Sequence, residues 1–411
     1  MAHILPFKAV RPAESKAELL TSRSYESYSP EEKRRVLKNN PFSFLQIINP
    51  EDGYGNKLKG STFYSEVRNR YREFLQEGLL VRDEEPCLYV YELLQNGRRF
   101  MGVVCAAGCE DYRSNVIRRH EDTISRREWV FARFLKAVRF NAEPVLMFYP
   151  DNALIGKILE YECSKIPLYN FNDPERGVHK LWQIKEPGTI NQLQQLFKSI
   201  EALYIADGHH RTASSDLMAT EAAASGSSHN GREAYNYFMS FLMPESMIGI
   251  ATYNRMVTDL HGHSVKTFLS GLLETFRVSN MGSQVFYPSV KHSFSMYLGG
   301  NFYRLELRKE SWAFTDPLNR LDSHILYQTI LKPMLGIEDL RNNRRLGYSF
   351  DENPAEHMKA QIDKGEFVLG FAMAPVGIAD IRAIADAGLV MPPKSTYIEP
   401  KLRSGLVIYE F

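Results

Sequence analysis

Apolar positions along this chain follow two rhythms. Phe63, Val67, Tyr71 and Phe74 recur at helical spacing, which predicts an amphipathic helix over 62–77 closed by Gly78. Elsewhere the apolar residues come in short runs bounded by turn formers. The runs 87–94 and 100–106 flank Asn96-Gly97, a strong hairpin signal. The runs 294–298 and 302–307 flank Gly299-Gly300-Asn301 and predict a second hairpin. Further strands are expected over 43–48, 144–149, 203–206, 367–373 and 406–411, with 235–243 and 247–253 as a pair.

Helix starts are marked by chemistry as well as spacing. Ser29-Pro30-Glu31-Glu32 is a capping box with proline at the first helical position, and Asn40-Pro41 ends that helix. Ser125-Arg126-Arg127-Glu128 reads as another capped start, followed by Trp129, Phe131, Phe134, Leu135 and Val138. Helices are also expected over 189–200, 264–276, 321–335 (broken late by Pro333) and 378–387, the last closed by Gly388. Residues 49–60 form a loop rich in Gly, Asn and Asp. Helices and hairpins are interspersed without strict alternation. The fold class is therefore α+β, with mixed, mainly antiparallel sheets and surrounding helices. A length of 411 residues suggests two or three regions. The divisions expected are 1–110, 111–230 and 231–411.

Charge and cysteine content narrow the function. Lys and Arg total 50 against 49 Asp and Glu. So balanced a chain lacks the basic excess of a nucleic-acid coat or membrane-surface protein, and neither partner is expected. Cys87, Cys105, Cys109 and Cys163 are few and show no paired metal spacing, which fits a reducing, cytoplasmic location. No signal-peptide pattern and no run of membrane-spanning length is visible.

Candidate chemistry gathers in three places. In Leu203-Tyr204-Ile205-Ala206-Asp207-Gly208-His209-His210-Arg211 an apolar strand runs into an Asp-Gly turn and then a helix start. Backbone N–H groups and the positive helix end at such a turn suit an anion, and Gly208 lets the ligand approach. Asp-Gly is also an ordinary turn, and Asp207 a possible cap, but two imidazoles and a guanidinium favour a site. The second cluster is Arg118-Arg119-His120-Glu121-Asp122-Thr123. There His120-Glu121 offers a general base or a metal-binding carboxylate, against the alternative of a solvated loop. The third runs from Met391-Pro392-Pro393 to Arg403. Two prolines stiffen it, and Lys394, Ser395, Thr396, Lys401 and Arg403 supply donors for a phosphate or carboxylate, unless the segment is simply a strap. His179 lies in an alternating run and faces a cleft or a satisfied neighbour. His261-Gly262-His263 lacks a third ligand and reads as a surface loop. The common nucleotide and zinc fingerprints and the serine nucleophile elbow are absent.

Ile205-Ala206-Asp207-Gly208-His209-His210-Arg211 and Met391-Pro392-Pro393-Lys394-Ser395-Thr396, with Glu399-Pro400-Lys401, closely resemble motifs of a widespread microbial family of unknown function. The match extends through Phe7-Lys8-Ala9-Val10-Arg11-Pro12, Asn40-Pro41-Phe42, His120-Glu121-Asp122-Thr123, Gly177-Val178-His179 and Leu318-Asn319-Arg320-Leu321-Asp322. Where that family carries a Pro-Pro-Tyr-Asp-Val-like stretch, this chain has Thr21-Ser22-Arg23-Ser24-Tyr25-Glu26-Ser27-Tyr28.

The Asp-Gly-His-His-Arg turn further resembles the phosphate-binding turn of the ParB/sulfiredoxin-like superfamily, which includes kinases acting on free serine. That resemblance implies a nucleotide-binding core of this type and a small-molecule phosphotransferase, a serine kinase or the reverse reaction on phosphoserine. It implies ATP or ADP with Mg²⁺, a small-molecule substrate and possible homo-oligomers. Gly208, His209, His210 and Arg211 would hold phosphates, and Asp207, His209, His120 and Glu121 would carry the chemistry. Asp207 or Glu121 would bind the metal, and Lys394, Ser395, Thr396, Lys401, Arg403 and His179 would clamp the substrate. Two other readings stay open. One is a nucleotide-binding and hydrolysing switch. The other is a metal-dependent hydrolase using His120, Glu121, His209 and His210. In all of them the three clusters are expected to be walls of one site.

Overall fold

The computed structural model describes residues 1–50, 58–173, 177–225, 229–351 and 353–411. Most of the predicted 49–60 loop lies outside them. The chain forms two compact units. The first comprises Met1–Arg118, Thr123–Ile248 and Pro400–Phe411; the second comprises Arg119–Asp122 and Gly249–Glu399.

The first unit is built on a nine-stranded sheet. Its order runs Ile117–Arg118, Leu203–Asp207, Val145–Tyr149, Tyr237–Pro244, Arg98–Gly108, Leu88–Gln95, Gly177–Ile184, Tyr169–Asp173, with Ile4–Leu5 added beside Arg98–Gly108. Two of its pairings are parallel and the rest antiparallel. The predicted hairpin closes through Asn96 at φ 50° and Gly97 at φ 72°, the primed-turn geometry that matches strand twist. Helices Ala153–Cys163 and Pro187–Lys198 bury Ile155, Leu159, Leu193 and Phe197 in the sheet's main core. Helix Gly60–Gln76 buries the predicted Val67, Tyr71 and Phe74 against Phe140 and Ile408. The Ser29 capping box forms as read: Glu32 N–H donates to Ser29 Oγ at 3.1 Å and Ser29 N–H to Glu32 at 2.7 Å.

The second unit holds a six-stranded, wholly antiparallel sheet. Its order is Phe276–Gly282, Asn301–Leu307, Ser293–Leu298, Leu369–Met373, Asn254–Val257, Leu346–Ser349. Phe268, Leu272, Ile325 and Leu331 pack in one core cluster, and Ala355 and Met358 of helix Pro354–Asp363 in another with Met256 and Tyr297. Mixed α+β architecture with mainly antiparallel sheets is thus what the chain adopts.

Several local expectations are corrected. Residues 43–48 are not a strand: Leu45–Ile48 is one helical turn, entered where Ser43 Oγ accepts the Leu45 N–H. A short apolar run cannot distinguish the two by spacing, and the Ser43 side chain tips it. The 235–243 and 247–253 strands do not pair with each other. Tyr237–Pro244 lies inside the large sheet, while Gly249–Ala251 pairs with Tyr397–Glu399. Ser125 is the first helical residue of Ser125–Val138, not its cap, and Thr123 bonds Glu128 instead. The 321–335 helix is α over Asp322–Leu326 and widens into a π turn over Tyr327–Leu331. Pro333 has no N–H to continue the α ladder, and Lys332 donates five residues back to Tyr327 at 2.9 Å. Of 406–411, only Tyr409–Glu410 is a strand, paired with Phe140–Asn141.

Candidate functional site

Strand Leu203–Asp207 is buried from Leu203 to Ala206 and emerges at Asp207, whose side chain is 38% exposed. Its register against Val145–Tyr149 shifts between Ile205 and Asp207, the kind of irregularity that re-aims a side chain. Gly208 follows at φ +105°, a conformation costly for any residue with a Cβ. A Cβ there would also meet Arg211 Nε at 2.9 Å. Helix His209–Ser225 then begins, with Thr212 N–H donating to Gly208 O at 2.9 Å. Its buried residues include His209, Thr212, Ala213 and Met218, so the turn rests on a fixed element.

Charges alternate around this turn. Arg211 Nη2 donates to Asp207 Oδ2 at 2.7 Å, and Lys401 Nζ to Asp207 Oδ1 at 3.1 Å. Arg211 Nη1 reaches Pro144 O at 2.9 Å and Glu143 Oε2 at 3.3 Å. Glu143 in turn accepts from Ser404 Oγ at 2.5 Å and Ser24 Oγ at 3.2 Å. Burial by itself would raise the Asp207 carboxyl. Lys401 and Arg211, with a smaller contribution from His209, override it and hold the group well below the usual carboxylate range. Asp207 is therefore an anion locked between cations and a weak base as it stands.

The first unit thus gathers Asp207, Gly208, Arg211 and Lys401, and holds the histidines at 209 and 210, Arg403 and His179. Arg403 is used internally: it donates to Thr21 Oγ1 at 2.7 Å and Thr21 O at 2.5 Å and pairs with Asp173. Its guanidinium is pulled below its usual range by burial. His179 lies in the sheet, with Nδ1 2.6 Å from the Tyr91 hydroxyl and its ring stacked on Phe171. His120, Glu121, Lys394, Ser395 and Thr396 belong to the second unit. There the His120 carbonyl accepts the Met391 N–H at 2.9 Å. Ser395 is buried, bonded to Ser323 Oγ at 2.8 Å and Pro392 O at 2.7 Å. Asp122, Met391, Pro392 and Pro393 help line a cavity of about 380 Å³ that also includes His324 and Arg341.

Sequence reasoning missed Glu143, Asp173 and Arg255. Arg255 had a weak signal, a single charge between Asn254 and the apolar pair Met256-Val257. Glu143 and Asp173 had none. Among the described residues no group of three or more His, Cys, Asp and Glu side chains could hold a metal ion. Each Asp207 oxygen is engaged by a cation, so the residues present do not fit a magnesium ligand set unless those pairs open.

A two-unit α+β protein whose strand Leu203–Asp207 enters helix His209–Ser225 through the Asp207-Gly208 turn is the class these observations define. Residues 4–324 match the family described as "Protein of unknown function (DUF1015)", and the chain belongs to that family. No protein of curated function matches the chain. Among solved structures it is similar to a free serine kinase in complex with AMP, at 12% identity and TM-score 0.33, covering 71% of this chain and 88% of that one. It is also similar to SbnI with C-terminal truncation from Staphylococcus aureus, at 10% identity and TM-score 0.40, covering 74% and 85%. A conserved hypothetical protein from Pyrococcus furiosus matches at 14% identity and TM-score 0.33, covering 71% and 93%. No helix among the described residues is long and apolar enough to cross a membrane.

Proposed function

We propose that this protein is a small-molecule phosphotransferase acting on a free hydroxy amino acid, a serine kinase or the reverse reaction on phosphoserine. The observation that carries the reading is the Asp207 turn. Two cations converge on a carboxylate at the mouth of a long helix, entered through a glycine in the left-handed region. Anionic phosphates suit that mouth, where backbone N–H groups point outward and Lys401 and Arg211 stand beside them. His209 and His210 add donors.

Phosphates arriving there compete with Asp207 for Lys401 and Arg211. As those pairs loosen, the carboxyl's proton affinity rises, so the base becomes effective when the donor is bound. In the forward direction the serine Oγ attacks the terminal phosphorus and the bond to the nucleotide's bridging oxygen breaks. The hydroxyl proton passes to Asp207.

The test is phosphorus NMR of the full chain incubated with ATP, ADP or pyrophosphate plus serine, and separately with phosphoserine. A changed phosphate ester is expected, falling about 100-fold or more in Asp207→Asn and His209→Ala. Unaltered turnover in both variants sinks the assignment. Tight nucleotide binding without any transfer points to the switch.

A further inference from the structure

Arg255 heads the largest fully buried side chains among the described residues, with no exposed surface. It sits on strand Asn254–Val257 of the second unit, opposite Tyr348 on one side and Phe371 on the other. A guanidinium carries five N–H donors in a planar fork. Here they find little. Nη1 reaches Tyr253 O at 3.4 Å and Met373 Sδ at 3.8 Å, and Nη2 reaches Lys394 O at 3.5 Å. These lie at the outer limit of hydrogen bonding. Nε has no partner, and no carboxylate pairs with Arg255 among the described residues. The face of Tyr348 lies 5.7 Å away. Burial lowers the guanidinium only to about 10, so it stays charged at neutral pH. A buried cation without a counterion is one of the costlier features a fold can retain.

The least engaged edge is Nε, without a partner, with Nη2, held only by the Lys394 carbonyl at 3.5 Å; it is the side of the fork that matches a carboxylate's two oxygens. Above it lies the strap. Lys394, whose carbonyl makes the weak contact to Nη2, holds φ at +57°, a strained value for a residue with a side chain. Its ammonium lies 5.0 Å from the Tyr253 ring, a second cation beside the same strand. Tyr253 meets edge-on the stacked pair Phe350–Tyr397. Two cations and a weakly engaged bidentate edge are the parts of a small-anion site. Arg255 has no exposed surface, so an occupant reaches that edge only if the Lys394 carbonyl gives way.

The geometry points to a carboxylate-binding site at Arg255 and Lys394 in the second unit, taking the α-carboxylate of a small amino acid. The choice of amino acid rests on the phosphotransferase reading. The site itself rests on Arg255.

The experiment is calorimetric titration of the full chain with L-serine, with ethanolamine (the same molecule without its carboxylate) and with inorganic phosphate. Serine is expected to bind, ethanolamine about 30-fold or more weakly, and Arg255→Met to lose about the same factor for serine with ATP affinity unchanged. Arg255→Lys keeps the charge without the fork and is expected to weaken serine binding about 10-fold. If Arg255→Met fails to fold, the lysine variant decides. Equal binding of serine and ethanolamine, wild-type serine affinity in either folded variant, or Arg255-dependent binding of phosphate in place of serine overturns the site. Arg255-dependent serine binding without phosphate transfer leaves the site standing and removes the phosphotransferase reading. Transfer to serine with an unchanged KM in Arg255→Met does the reverse.

Discussion

Arg403 in the first unit and Arg255 in the second are both buried guanidiniums in very different company. Arg403 donates to Thr21 at 2.5 and 2.7 Å and pairs with Asp173, and its side chain is 9% exposed. Arg255 is more deeply buried, and among the described residues its hydrogen-bond contacts are long ones to two carbonyls and a sulfur. A fold that needs a buried arginine as a strut supplies its partners, as around Arg403. Arg255 has no such partners among the described residues, and that separates a strut from a binding group more clearly than residue type does.

The sharpest way to break this contrast is to remove each charge with an isostere of similar bulk. Arg403→Met removes the ion pair with Asp173 and the bonds to Thr21 and is expected to cost about 3–5 kcal/mol in denaturant unfolding. Gly208→Ala forces a Cβ into the left-handed region and against Arg211, so about 1–3 kcal/mol is expected, with Arg211 displaced from Asp207. Lys401→Ala tests the paired carboxylate through pH. Because the folded Asp207 carboxyl is depressed, its contribution is fully present above its unfolded value, near 3.8, and is lost as pH falls through the folded value. The variant is therefore expected to be less stable than wild type at neutral pH, by about 1 kcal/mol after solvent screening. That gap should close in unfolding curves taken stepwise below 3.8. Arg255→Met should move stability least, by about 1 kcal/mol or less in either direction, since an apolar side chain replaces an uncompensated charge. A loss as large as that of Arg403→Met would make the two arginines equivalent struts.

Much of the Asp207 turn was legible because its determinants are local. An apolar run, an Asp-Gly break and a polar helix start lie within nine residues and follow turn and helix-start chemistry. The Ser29 capping box and the Asn96-Gly97 hairpin were readable for the same reason. Partners set by the fold were not. Glu143 reaches Arg211 across 68 positions and Lys401 reaches Asp207 across 194, and nothing in either neighbourhood marks the pairing. The 43–48 run failed as a strand because its apolar residues fit both geometries and Ser43 decided between them. The stretch 21–28, where this chain departs from its family's motif, supplies Thr21 to Arg403 and Ser24 to Glu143. The motif strap also reads differently in the structure: its Met391–Thr396 portion belongs to the second unit and Pro400 onward to the first.

That division has a consequence in time. The first unit is interrupted by 151 consecutive residues, Gly249–Glu399, and resumes at Pro400. A ribosome releases Asp207 and Arg211 early, and Lys401 only after the whole intervening unit has been made. During synthesis Asp207 has Arg211 and His209 beside it but not Lys401, and Phe140–Asn141 lacks the Tyr409–Glu410 strand that pairs with it. The nascent first unit therefore has the strands of its nine-stranded sheet but an under-paired carboxylate, and its charge cluster closes only after Gly249–Glu399 has been made.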